Sequence, residues 1–187
     1  MIRSRVGYTG GTKLNPTYYS LGNHTESLQI EFDPTRITYE QLLDIFWNSH
    51  NPTQKTWSTQ YKAAVFVHNQ EQARLAEASK IRMTAEKTGR WFNRTIHTEI
   101  LPAQTFYLAE DYHQKYLLQH SPVIWGEIQK IYRGDMMGWV NSTAAARLNG
   151  YVGGYASAEQ LAGEIDSLGL SSQAQEVLWQ TVRRFNR

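Results

Sequence analysis

From residue 3 to residue 120 the sequence alternates strand-like and helix-like patterns with short connections, and after Pro122 only helical patterns follow. Such intermixing restricts the first part to helices packed on a mixed sheet. Arg3 to Tyr8 reads as a strand stopped by Gly10-Gly11. Leu28, Ile30 and Phe32 alternate with Gln29 and Glu31, which predicts a strand with one buried face, ended by Asp33-Pro34. Tyr39, Leu42, Leu43, Phe46 and Trp47 recur at helical spacing behind a Thr38/Gln41 capping box. Ala63 to Val67 reads as a strand buried on both faces, and Asn69 with Gln72 opens a helix toward Glu86. Ile96, Thr98 and Ile100 predict a third alternating strand closed by Pro102, and Ala109 to His120 a helix with Tyr112, Tyr116 and Leu117 on one side.

In the tail, Ser157 with Gln160 caps a helix carrying Leu161, Ile165 and Leu168 and stopped by Gly169. Ser172 with Gln175 caps another carrying Leu178, Val182 and Phe185, so a helical hairpin closes the chain. The expected organisation is a core over residues 1–120 and a helical extension over 121–187.

A chain of 187 residues buries enough surface to fold without staples, and this one has no cysteine. Zero thiols exclude disulfides, Cys-ligated metal and a cysteine nucleophile within these residues. A net charge of +2 is too small for a nucleic-acid-binding face. The longest apolar run, Ala63 to Val67, is far too short to cross a bilayer, and Met1 to Val6 holds no signal-peptide core, so a cytoplasmic location is expected.

The stretch Gly7 to Glu26 is the richest in chemistry: a strand, a glycine turn, Tyr18-Tyr19, then His24 and Glu26. Glu26, two residues before apolar Leu28, suits a partly desolvated carboxyl that donates a proton; the same position also suits a solvated strand end. Tyr18 and Tyr61 can offer phenol hydrogen bonds to a polar ligand, and each also fits a half-buried packing role. The six histidines show no zinc-protease spacing, so a metal site is not expected.

Read together, Arg5-Val-Gly-Tyr-Thr-Gly-Gly11, Asn15-Pro-Thr-Tyr18, His24-Thr-Glu26, Phe46-Trp47, His50-Asn-Pro-Thr-Gln54, Thr59-Gln-Tyr61 and Thr105 to Tyr116 run in the order found in A-type peptide methionine sulfoxide reductases, which the chain resembles from residue 5 to about 120. The resemblance implies an α+β, ferredoxin-like two-layer sandwich with a mixed sheet, here followed by a C-terminal helical extension. It implies that Glu26 protonates the sulfoxide oxygen while Tyr18 and Tyr61 hydrogen-bond it. It also implies oxidised proteins or peptides carrying methionine S-sulfoxide as substrate, no bound cofactor, and thioredoxin or another thiol as reductant, with a monomer acting apart from nucleic acid and membranes.

Three departures qualify it. The family's Gly-Cys-Phe-Trp element, which supplies the nucleophile and a methyl pocket, belongs well before Gly7-Tyr8, where only residues 1–6 stand. The loop Lys55-Thr-Trp-Ser58 lacks the family's aspartate, and Asn149-Gly-Tyr-Val-Gly153 places Val152 where many relatives carry a resolving cysteine. The expectation is therefore an N-terminally truncated reductase, because deleting a central strand and helix weighs heavily against a total stability of about 5–15 kcal/mol. A selenocysteine codon read as a stop would produce that outcome by moving the start to Met1. The alternative is a non-catalytic pseudo-reductase, a module that binds methionine sulfoxide or another protein.

Overall fold

A computed structural model of the chain describes residues 2–88 and 95–185. In chain order the elements are β1 (Arg3–Thr9), β2 (Thr25–Glu31), α1 (Tyr39–Asn48), β3 (Ala64–Val67), α2 (Gln70–Thr88), β4 (Glu99–Pro102), β5 (Tyr107–Leu108), α3 (Tyr116–Gln119), α4 (Pro122–Tyr132), α5 (Met136–Asn141), α6 (Thr143–Val152), α7 (Ala158–Ala162) and α8 (Ser172–Phe185). The class is α+β with a helical C-terminal part, as expected. The strands form two small sheets: one ordered β2-β1-β5, the other β3-β4. Antiparallel β1/β5 pairs Gly7 with Leu108 and Tyr8 with Tyr107, while parallel β3/β4 pairs Val65 with Ile100. Among the described residues no helix is long and apolar enough to cross a membrane.

The residues divide into two compact units, one of 7–27 and 32–109, the other of 1–6, 28–31 and 110–187. In the first, the predicted capping box forms: Gln41 N–H donates to Thr38 Oγ1 at 3.2 Å and Thr38 N–H to Gln41 Oε1 at 2.8 Å. Helix α1 then buries Leu43 and Trp47 against Ala76 and Met83, with Val65, Val67, Ile96 and Ile100 packed alongside. Trp47 hides its polar edge by donating Nε1–H to Ser79 Oγ at 2.9 Å, and the Ser79 hydroxyl donates in turn to the Ala76 carbonyl. Asn69 caps α2 as predicted, accepting from Gln72 N–H at 2.8 Å.

Several expectations are corrected. Strand β3 is half-buried along its length rather than enclosed on both faces. Leu28 and Ile30 are 60% and 37% exposed, so the alternation marks a real strand whose apolar face is open. The strand expected from Ile96 is β4 and starts at Glu99; before it, His97 N–H donates to the Pro52 carbonyl at 2.8 Å. Strand β5, two residues long, was not foreseen.

The second unit explains why residues 109 to 120 do not form the predicted continuous helix. A 3-10 turn (Asp111–His113) ends at Gln114, and Lys115 adopts φ 47°, a left-handed conformation that breaks the run before α3. Tertiary hydrogen bonds hold this break. Gln114, fully buried, uses both ends of its amide on β1: Val6 N–H donates to Oε1 at 3.0 Å and Nε2 donates to the Val6 carbonyl at 2.8 Å. Lys115 donates Nζ–H to the carbonyls of Ser4 and Val140. Arg5 fans onto Asn141, Gln29 and Glu31 at 2.6, 2.8 and 2.9 Å. Together these groups satisfy buried polar atoms that would each cost about 1–3 kcal/mol if left alone.

The helices of this unit bury Leu118, Ile124, Ile128, Val140, Leu148, Leu161, Leu178 and Val182 almost completely. Ser157 and Gln160 form their capping box, but the helix they open stops at Ala162. Glu164 turns away to accept from Tyr151 Oη at 2.5 Å and from Arg147, and the chain resumes as a 3-10 turn (Ile165–Leu168) stopped by Gly169 at φ 72°. Helix α8 begins one residue earlier than predicted, Ser171 rather than Ser172 being the cap, with its Oγ accepting from Ala174 N–H. Over residues 157–185 the expected helical pair is α7 with its 3-10 turn and α8, and three further helices, α4 to α6, precede it.

Burial, with the charge of Arg5 second, pulls the Lys115 ammonium from 10.5 to about 8. The unfolded chain therefore binds a proton that the folded one lacks between those values, so stability increases as pH rises through the window. Measured by denaturant titration against Lys115→Met, the parent's relative stability should climb by up to about 3 kcal/mol from pH 8 to pH 10.5. A pH-independent difference would contradict this assignment.

Candidate active site

The segment 10–24 is folded around one histidine. His24 is 1% exposed, its Nδ1 accepts from Gly11 N–H at 3.2 Å, and its Nε2 therefore carries the proton it donates to the Lys13 carbonyl at 2.7 Å. The ring also stands edge-on to Tyr107, centroids 5.5 Å apart. Gly10 permits the turn: its φ is 77°, and a Cβ there would lie 2.7 Å from the Phe66 ring. His24 is thus a pin for the loop that carries Tyr18. Among the described residues no group of three or more His, Asp or Glu side chains is placed to hold a metal.

Two bonds splice the start of β2 to the turn at 59–61. Thr25 Oγ1 donates to the Thr59 carbonyl at 2.9 Å, and Glu26 N–H donates to the Gln60 carbonyl at 3.0 Å. Through this splice the structure brings together the three side chains expected to share a site. Gln60 Nε2 donates to Glu26 Oε1 at 2.7 Å and to Tyr61 Oη at 3.1 Å. Tyr61 shares a hydrogen bond with Tyr18. Its phenol is held above the ordinary value, by desolvation first and then by the charge of Glu26 and by Tyr18.

All three are reachable from solvent, with Tyr18 37% and Tyr61 61% exposed and Glu26 classed with the exposed residues. Of the two settings open to Glu26, a partly desolvated carboxyl and a solvated strand end, the second is found: Leu28 beyond it is itself open to solvent, and the carboxyl is held by Gln60. The chemistry available is one carboxyl and two phenols converging from a strand, a loop and a turn, a donor set suited to an oxygen that gains negative charge.

Two other expectations concern Val152 and the loop before Thr59. Val152 is the last, half-buried residue of α6, in the second unit. In the loop before Thr59, Lys55 holds its ammonium 4.7 Å above the Trp57 ring, which is 89% exposed. Gln60 is the participant that sequence reasoning missed. Adjacent side chains ordinarily diverge, so nothing in its spacing from Tyr61 foretells that both meet at Glu26.

A donor set of this kind, carried on an α+β scaffold, defines a candidate oxyanion-binding enzyme. The comparisons with known proteins narrow that class. A family model described as peptide methionine sulfoxide reductase matches residues 1–132, and one described as the helical domain of selenoprotein methionine sulfoxide reductase A matches residues 139–182. A peptide methionine sulfoxide reductase of Drosophila melanogaster is 38% identical over 172 residues, 91% of this chain and 67% of that protein. Reductase A5 of Arabidopsis thaliana is also 38% identical, over 156 residues, and the chain spans 59% of its length. Methionine sulfoxide reductase A of Corynebacterium diphtheriae superposes with TM-score 0.55 at 34% identity, covering 64% of each chain. The reduced form of Mxr1 from Saccharomyces cerevisiae gives TM-score 0.56 at 29% identity over 64% of this chain and 71% of that one. The chain belongs to the peptide methionine sulfoxide reductase family.

Replacing Glu26 by Gln removes the second of the causes that raise the Tyr61 phenol. In Glu26→Gln, Tyr61 should titrate at lower pH than in the parent, read from its ring carbon by NMR, yet stay above an ordinary tyrosine because desolvation remains. An unchanged midpoint would show that the two groups do not sense each other.

Proposed function

We propose that this chain works in the reduction of methionine S-sulfoxide in proteins and peptides, as the part that grips and protonates the sulfoxide oxygen. The supporting observation is that the Gln60 amide joins Glu26 to Tyr61, which in turn shares a hydrogen bond with Tyr18. As a nucleophile attacks sulfur, charge moves onto the sulfoxide oxygen; Glu26 supplies that oxygen with a proton while the phenols donate hydrogen bonds to it. The attacking chalcogen is not among these 187 residues, since the sequence contains no cysteine. The helical match is described for a selenoprotein, which favours selenocysteine for that role. Thioredoxin or another thiol then returns the electrons. The reading further takes the protein to act as a monomer in the cytoplasm. A pseudo-reductase that only binds the sulfoxide is the second reading, favoured by Val152 at the position matching a resolving thiol.

Calorimetric titration with a short peptide carrying methionine S-sulfoxide tests this reading. Binding should occur, prefer the S over the R epimer, and weaken in Glu26→Gln. With dithiothreitol alone the chain should show no turnover. Equal affinity for sulfoxide and methionine, or turnover by rigorously purified chain, would defeat the roles assigned here.

A further inference from the structure

We propose that Gln60 is the positioning residue of this site: its side-chain amide fixes which oxygen of Glu26 carries the transferable proton and turns the Tyr61 hydroxyl outward to the ligand. This rests on the sulfoxide-reductase reading and deepens it. A primary amide has two N–H donors at a fixed angle, and here one goes to Glu26 Oε1 at 2.7 Å and the other to Tyr61 Oη at 3.1 Å. The opposite amide orientation would set a carbonyl oxygen against a carboxylate, so the charged form of Glu26 selects the orientation seen. With the Oε1 lone pair engaged, a proton on Glu26 resides on Oε2, the oxygen that Gln60 leaves open. With Tyr61 Oη accepting, its own O–H points away from Gln60, toward Tyr18 in the free chain and able to turn to a sulfoxide oxygen when one binds. The main chain of the same residue also accepts from Glu26 N–H at 3.0 Å, so Gln60 holds the acid at both its backbone and its carboxyl. No proton is transferred through Gln60; it acts by holding two groups that touch the ligand.

The test uses the full chain and Gln60→Met, which keeps the side-chain length and removes both donors, with the amide NMR spectrum confirming the fold of each variant. Losing an N–H donor to the phenol oxygen disfavours the phenolate, so Tyr61 should titrate at higher pH in Gln60→Met than in the parent. In the S-sulfoxide peptide titration, Gln60→Met should weaken binding about tenfold in the parent background. The same change should weaken it less than about twofold in Glu26→Gln/Tyr61→Phe, where nothing is left to position. An unmoved Tyr61 midpoint in a folded Gln60→Met chain, or equal losses in the two backgrounds, would overturn the proposal. If the parent does not bind the sulfoxide at all, the functional reading fails, and the Tyr61 titration alone decides whether Gln60 organises the pair.

Discussion

The candidate site hangs on the splice between Thr25-Glu26 and Thr59-Gln60, two hydrogen bonds that join segments more than thirty residues apart in sequence. One is backbone to backbone, the other runs from a buried threonine hydroxyl, and both are replaced by water if the segments separate. Their net worth is modest, about 1 kcal/mol each, but they set geometry rather than bulk stability. Without them the strand that carries Glu26 and the turn that carries Tyr61 would not be joined at this point. Because the partner carbonyls belong to the residues just before Tyr61, the acid and the phenol are brought within reach of the same amide. His24 performs the matching task on the other side, tying Gly11 and Lys13 so that the loop delivering Tyr18 has one conformation.

Polar side chains carry a comparable burden in the unit that holds the helices. Strand β5 ends after two residues, and later in the chain the fully buried amide of Gln114 accepts from the N–H of Val6 and donates to its carbonyl, as a neighbouring strand would. Lys115 and Arg5 then answer the carbonyls and carboxylate nearby. Reaching those partners forces Lys115 into a left-handed conformation, which is why a periodic apolar sequence fails to become one helix. Glu164 does the same to the α7 segment by leaving it for Arg147 and Tyr151.

These cases show what was legible in the residues and what was not. Local signals translated directly: the Thr38/Gln41 and Ser157/Gln160 boxes and the Asn69 cap all form, because each involves groups three residues apart. The helical face of α1 also reads directly, as its i, i+4 pattern is the pattern of burial. Failures cluster where a distant polar partner outbids local preference, as at Lys115 and Glu164. The alternation of Leu28 and Ile30 gave the strand but not its covering, since period two says which residues share a face and nothing of what packs on it. For the site, Glu26, Tyr18 and Tyr61 came from a resemblance carried by ordered motifs, whereas Gln60 required coordinates.

In the proposed complex Glu26, Tyr18 and Tyr61 together hold a sulfoxide oxygen. A crystal structure of the chain soaked with a methionine S-sulfoxide peptide tests it most directly. The oxygen should lie within hydrogen-bonding distance, about 2.5–3.0 Å, of both phenol oxygens and of Glu26 Oε2, with Gln60 still bridging Oε1 and Tyr61. A peptide seated elsewhere on the molecule, or bound here with its oxygen turned away from all three groups, would contradict it.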